Sequence, residues 1–274
     1  MADRPVLIIG ANGKTGARVH RRLAARGVAV RAASRASQVR FDWTQRETWG
    51  PALAGAGKAY VTFQPDLAVD GSAEAIGHLA DLARAEGLEQ VVLLSGRGEP
   101  GAERAEAALA ASGVPWTIVR ASWFDQNFSE GYLAESVRAG ELALPAGAVR
   151  EPFVDAEDIA DVVAAALTDP RHIGQCYETT GPRALTFAEA VDEIAAATGR
   201  PLRYTQVTPH EFGAGLATAG VPADIAALLD ELFTVVLDGR NEAIAHGVEA
   251  ALGRPPRDFA DYARAAAAAG AFGP

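Results

Sequence analysis

The chain has 274 residues, 49% hydrophobic and 22% charged, with a formal net charge of −10. That length buries a sizeable core in one large domain or two modest ones, and that charge repels a phosphate backbone, so nucleic acid is not expected as a general partner. A single cysteine, Cys176, excludes an internal disulfide and fits a reducing cytoplasm.

The run "PVLIIG" opens the chain as a short strand, too short an apolar stretch for a secretory signal. A helix follows over 15–26, then "VAVRAAS" as a second strand after Gly27 and "QVRFDW" as a short third. Residues 44–54 read as a short helix, "KAYVTF" as a fourth strand, 67–86 as a helix with apolar positions three or four apart, and "QVVLLS" as a fifth strand. A helix over 102–111 and the sixth strand "WTIVRA" complete the alternation. Continuously apolar strands separated by helices imply crossovers to a parallel sheet covered on both faces.

After Ala121 the rhythm changes. "FDQNFSEGYLAESVRAG" reads as one helix with aromatics on one side, and "EPFVDAEDIADVVAAALTDP" as a strand and a helix with Asp155 as N-cap and Asp158 in the capping-box position. "GQCYETTG" is a strand, "LTFAEAVDEIAAATG" a helix capped by Thr186, and "LRYTQVT" a strand; helices and loops dominate from Pro209 on. No stretch approaches the ~20 apolar residues of a membrane span, so the reading is a cytoplasmic protein without a membrane partner. The fold class expected is α/β: a Rossmann-type doubly wound parallel sheet with a smaller C-terminal α/β substrate lobe. Residues 1–150 form its core, 151–180 return to it, and 181–274 cover a substrate pocket.

Gly10, Gly13 and Gly16 stand where the first strand gives way to a helix. Gly10 allows a tight turn, Gly13 lets the backbone approach a pyrophosphate, and Gly16 lets the helix pack closely; the free amides at Lys14–Gly16 favour an anion. A site for NAD usually ends its second strand in an acid that grips the ribose 2′-hydroxyl. Here that end carries Ser34 and Arg35, and a guanidinium there can pair with a 2′-phosphate, so the cofactor indicated is NADP(H). Asp42 either accepts a hydrogen bond from the adenine amino group or starts a helix.

The layout resembles that of the short-chain dehydrogenases, which usually carry Tyr-x-x-x-Lys, in which the lysine lowers the tyrosine pKa for proton donation. Four residues after Tyr60, Tyr132, Tyr177, Tyr204 and Tyr262 stand Gln64, Ser136, Gly181, Thr208 and Ala266, and the two lysines are Lys14 and Lys58. No such pair exists. Ser95 and Tyr132 are the remaining candidates for proton donor. Past the fifth strand, Glu99, Glu103 and Glu106 could favour a cationic substrate, although Glu103 and Glu106 read more readily as a solvated helix face. Trp123, Phe124, Asn127, Phe128 and Tyr132, with Phe153, are candidate pocket residues beyond the sixth strand; ordinary core packing competes for each, and most strongly for Phe124. The five histidines are scattered, which argues against a metal site.

The stretches "GANGKTG", "PFVDAEDIADV" and "SGVPWTIVRASWFDQNF" resemble the NmrA-like group of atypical short-chain dehydrogenases. More narrowly, "SRASQVRFDWTQRETW", "WFDQNFSEG" and "GRPPRDFADY" are similar to a subgroup around the ergot-alkaloid (agroclavine and festuclavine) dehydrogenases, and the resemblance spans almost the whole chain. It implies a Rossmann fold, NADP(H) and reduction of a small molecule. It also implies that Gly10, Asn12, Gly13, Lys14, Thr15 and Gly16 cradle the phosphates, that Phe63, Gln64 and Pro65 lie along the cofactor, and that Ser95 faces its nicotinamide. Where the alkaloid enzymes run more apolar after the fourth strand, this chain has Gln64-Pro65. Their substrates are iminium ions, already charged electrophiles that accept hydride without simultaneous protonation. An NADPH-dependent reductase of an activated C=N bond is therefore the leading expectation, beside a quinone or carbonyl reductase and a non-catalytic NADP(H) sensor. A monomer or a homodimer is expected.

Overall fold

A computed structural model describes residues 4–273. In chain order the elements are β1 (Val6–Ile9), α1 (Lys14–Ala25), β2 (Val30–Ser34), β3 (Val39–Arg40), α2 (Trp49–Leu53), β4 (Lys58–Val61), α3 (Ser72–Ala85), β5 (Gln90–Gly96), α4 (Pro100–Ala111) and β6 (Trp116–Ala121). Then come α5 (Asn127–Glu130), α6 (Ala134–Ala139), β7 (Glu141–Leu144), β8 (Arg150–Glu151), α7 (Ala156–Thr168), β9 (Cys176–Thr179) and β10 (Leu185–Thr186). The chain ends with α8 (Phe187–Thr198), β11 (Arg203–Gln206), α9 (Pro209–Thr218), α10 (Ala223–Glu231), α11 (Gly247–Leu252) and α12 (Phe259–Ala268). Among the described residues no helix is long and apolar enough to cross a membrane.

Two compact units emerge. The first comprises residues 1–121, 156–179 and 246–254, and the second 122–155, 180–245 and 255–274. The chain thus leaves the first unit at Ala121, where the sequence reading carried the core to 150, and re-enters it with α7 and β9.

In the first unit seven parallel strands run in the order β3-β2-β1-β4-β5-β6-β9. This is the doubly wound Rossmann arrangement, with its reversal between β1 and β4. Strand periodicity decides what each face buries. Leu7, Ile9, Ala59, Val61, Val91 and Leu93 join α2, α3 and α4 in one apolar core. Their alternates turn to α1 and α7: the Tyr60 hydroxyl donates to Thr15, and the Lys58 ammonium donates to the Leu167 carbonyl at 2.6 Å. On the α1 side Arg18 and Arg22 reach Glu157 of α7 at 2.6 Å each. Arg254, just past α11, reaches Asp158 at 2.7 Å, so the carboxylate expected in a capping box holds an ion pair.

The second unit closes around an aromatic core of Phe128, Phe153, Phe187, Phe233, Phe259 and Tyr262. Two small ladders frame it: β7 with β11, parallel, and β8 with β10, antiparallel. Thr186 caps α8 through a complete capping box with Glu189, as the sequence implies.

Candidate active site

In a doubly wound sheet, ligands bind beyond the carboxyl ends of the strands, at the reversal. Here those ends carry the β1–α1 turn, the β2 terminus and the exits of β4 and β5.

Gly10 has φ +80°, the left-handed region, and a Cβ there would lie 2.1 Å from Thr62 Oγ1. A Cβ on Gly16 would lie 2.2 Å from the Gly10 carbonyl oxygen, so the first turn of α1 closes directly on the loop that precedes it. Gly13 is the N-cap residue. No side chain caps the helix, and no acid stands in its first turn. The amides that a capping side chain would take are left for a ligand, and the helix dipole favours an anion there. These residues fit a dinucleotide pyrophosphate. The Thr15 hydroxyl is not part of that fit: it is buried and accepts from Tyr60 at 2.9 Å, leaving its main chain to contribute.

At the β2 terminus, Asn12 Nδ2 donates to Ser34 Oγ at 3.0 Å, and Ser34 Oγ lies 2.6 Å from Ser37 Oγ. The glycine turn and the second strand are thereby tied together, and Arg35 stands exposed beside them. The Asp42 carboxylate accepts from the Thr44 amide at 3.0 Å and the Thr44 hydroxyl at 2.8 Å. Those bonds, with the positive field of Arg35 and Arg40, hold it below the usual carboxylate range. Asp42 thereby starts a turn, and the helix expected from it begins only at Arg46, with Gln45 at the N-cap position.

Past β4, Phe63 packs on Trp43, with ring centroids 4.5 Å apart, and the Trp43 indole donates to the Thr62 carbonyl at 3.0 Å. Gln64 and Pro65 are exposed and joined by a cis peptide. Asp66 follows, half-buried, with its Oδ1 accepting the Ala68 amide at 2.8 Å. Burial raises the pKa of its carboxyl, against the Ala68 amide and Glu99, the residue at the N-cap position of α4. Asp66 escaped the sequence reading; only its place directly after "QP" at a strand exit marked it.

Ser95 departs from its expected place. It is 4% exposed, on the α4 face of the sheet, and its hydroxyl donates to Glu106 at 2.5 Å. Arg120 binds the same carboxylate through Nε (3.0 Å) and Nη2, and reaches Glu178 at 2.7 Å. The register aligns Ser95, Arg120 and Glu178 across β5, β6 and β9, so alternation delivers all three to one face. Glu106 holds the Arg120 pKa well up. Ser95 is therefore a member of a buried ion network, and Glu106 is no solvated helix residue.

The candidate pocket residues belong to the second unit. The helix expected over 124–140 breaks at Gly131, so Phe124, Phe128 and Tyr132 do not share a face. Phe124 bridges to Val154, and Phe128 is fully buried among Phe153, Phe187 and Phe259. Phe128 and Phe153, 2% exposed, are thus core. Trp123 is half-buried against Phe187 and Phe233, Asn127 is half-buried at the start of α5, and Tyr132 is 43% exposed on the turn before α6.

Residues 104–263 match the NmrA-like family, and residues 10–170 match an NAD(P)H-binding domain. The chain is 30% identical to the uncharacterized oxidoreductase YesF of Bacillus subtilis, over 98% of its own length and 97% of that protein. It is 28% identical to agroclavine dehydrogenase of Claviceps fusiformis, over 94% and 95% of the two chains. Its fold is that of the quinone oxidoreductase QOR2 of Escherichia coli, solved with NADPH: TM-score 0.76 at 20% identity, over 94% and 98% of the chains. An uncapped glycine turn on a doubly wound sheet, inside a matched nucleotide-binding segment, makes this chain an NAD(P)H-binding member of the NmrA-like family, with oxidoreductases among its relatives.

Proposed function

We propose that this protein is an NADPH-dependent oxidoreductase that delivers hydride to a small molecule bearing an activated C=N bond, an imine or iminium. The observation that carries the cofactor choice is the β2 terminus. Arg35 stands exposed beside the Asn12–Ser34 hydrogen bond, with no carboxylate where an NAD site keeps one. Bound there, NADPH supplies the hydride. The chain's own residues hold the phosphates on the amides around Gly13 and Lys14 and pair the 2′-phosphate with Arg35. Phe63, Gln64 and Pro65 line the exit of β4.

The reaction class follows from the groups near the strand exits. The Tyr60 phenol is buried and committed to Thr15, and the Lys58 ammonium is committed to the Leu167 carbonyl. Ser95 is closed into its ion network. A carbonyl acceptor needs a donor for its developing alkoxide, whereas an iminium develops no negative charge and draws on an anionic surround. Carboxyls occupy both strand exits here, at Asp66 and Glu99. The second reading, a quinone or carbonyl reductase, has the exposed Tyr132 phenol as its candidate donor.

The test is NADPH consumption by the purified protein with cyclic imines, aldehyde–amine mixtures and quinones in parallel. Turnover with the imines above that with the quinones supports the proposal. Turnover confined to quinones, with Tyr132→Phe abolishing it, favours the second reading. NADPH binding without turnover on any panel member refutes both enzyme readings.

A further inference from the structure

We propose that the α4-side face of β6 and β9 is the contact surface of a homodimer, covered by the same face of a second copy of this chain. The inference is independent of the reaction proposed above. It starts from a rule of sheet packing: a sheet of parallel strands is buried on both of its faces.

All seven strands of this sheet are parallel, and alternation decides which face each residue serves. In β9, Tyr177 and Thr179 turn to the face that carries α7, and both are buried. Cys176 and Glu178 turn the other way. They are in register with Ile118 and Arg120, and Ile118 belongs to the apolar core under α2, α3 and α4. On that side the covering runs out. Cys176 is exposed, and Glu178, Arg120 and Trp116 are only half-buried. Helix α4 reaches no further than Arg120, through Glu106, and Glu103 and Ala110, one turn to either side of Glu106, are exposed. An exposed thiol within a sheet is out of keeping with a residue type that is among the most buried.

The contact is made by the face of β9 and not by its edge. A Cβ on Gly247, the first residue of α11, would stand 2.1 Å from the Glu178 carbonyl oxygen and 2.8 Å from its amide nitrogen. That edge is therefore occupied, and a further strand has no room to pair along it.

Charge selects the occupant. The chain carries a formal net charge of −10, which drives two copies apart. This face is neutral instead. Arg120 lies between Glu106 and Glu178, 2.7 Å from the latter, and Arg97 reaches Glu178 at 3.5 Å, so two arginines and two glutamates cancel. A two-fold contact needs a patch that is complementary to itself. Turned by a two-fold axis, the Arg120–Glu178 pair presents each charge to its opposite in the second copy. Trp116 and Ala110 supply apolar surface around those charges.

The single cysteine makes the face readable. Sedimentation velocity in a non-oxidising buffer should show monomer giving way to dimer between about 1 and 100 μM. Over that range the rate of Cys176 alkylation by iodoacetamide, followed by mass spectrometry, should fall by about threefold or more, because the thiol is open in the monomer and covered in the dimer. Cys176→Lys sets like charges against each other twice across a two-fold contact, and should remain monomeric at about 100 μM. Cys176→Ser should dimerise as wild type does. Position 176 is exposed, so both variants should keep the wild-type Tm under dilute, monomeric conditions. A wild type that stays monomeric over the whole range overturns the proposal. So does a dimer in which Cys176 reacts at an unchanged rate, or one that survives Cys176→Lys, because its contact then lies elsewhere. No nucleotide or substrate enters these measurements, so their failure leaves the functional reading standing.

Discussion

Gly16 offers the sharpest test of the nucleotide cradle. A methyl group there would stand 2.2 Å from the Gly10 carbonyl oxygen, 2.9 Å from its carbonyl carbon and 3.1 Å from Ala11 Cα. All three are main-chain atoms, so no side chain can swing aside. An ordinary carbon–oxygen contact needs about 3.3 Å, so the start of α1 must move by roughly 1 Å from the turn. Forced overpacking of this kind costs about 1–3 kcal/mol, which for a chain of this size lowers Tm by roughly 2–10 °C. The same movement pulls the amides of Gly13 and Lys14 off the phosphates, and NADPH affinity should fall by about 10-fold or more. Gly50→Ala is the control: no heavy atom lies within 4 Å of its Cβ, and the residue is helical. It should leave binding unchanged and hold or slightly raise Tm. Fluorescence titration and thermal unfolding of the two variants measure both effects. A Gly16→Ala protein with wild-type Tm and wild-type affinity would refute the cradle.

Other predictions follow from the same unit. Glu106→Ala takes the carboxylate from Ser95 and leaves Arg120 with Glu178, in a network whose Glu106 side chain is 7% and Arg120 side chain 23% exposed. A loss of about 3 kcal/mol is expected in denaturant unfolding, the low end for a broken buried pair because Arg120 keeps Glu178 and some solvent. Ser95→Ala should cost only about 1 kcal/mol and leave NADPH affinity intact, where a direct cofactor contact would lower it. Burial alone would raise the Glu157 pKa, but the hydrogen bonds and charges of Arg22 and Arg18 outweigh it and leave it depressed. Its contribution is therefore fully present above the unfolded value of about 4.3 and is lost as pH falls through the lower folded value. Glu157→Gln should be less stable at pH 7 and show a flatter loss of stability below about pH 4; parallel acid limbs for the two proteins would contradict the assignment.

The first half of the fold is legible because its signals are local. The apolar run 6–9, three glycines and a helix pattern lie within 20 residues, and the observed β1, α1 and β2 fall where those signals put them. The helix expected from Leu67 begins only at Ser72, because 66–71 form a loop ending in Gly71 at φ +84°. The aromatic spacing 124, 128, 132 imitates a helix face, but Gly131 adopts an extended conformation and cuts the run. β7 went unread since "ELAL" becomes a strand only by pairing with β11, some 60 residues later. The site divides on the same principle. The glycine turn and Ser34–Arg35 are contiguous and readable. The Ser95–Glu106–Arg120–Glu178 network exists only through strand order and register, which no single window of sequence contains.

The central claim is that the end of β2 reads a 2′-phosphate through Arg35. Kd values for NADPH and NADH, measured side by side on wild type and Arg35→Ala, test it most directly. One charge-assisted contact is worth about 1.5–3 kcal/mol, so NADPH should weaken by roughly 10- to 100-fold while NADH moves by less than about threefold. Equal weakening of both nucleotides, or a wild type without preference between them, would contradict the account.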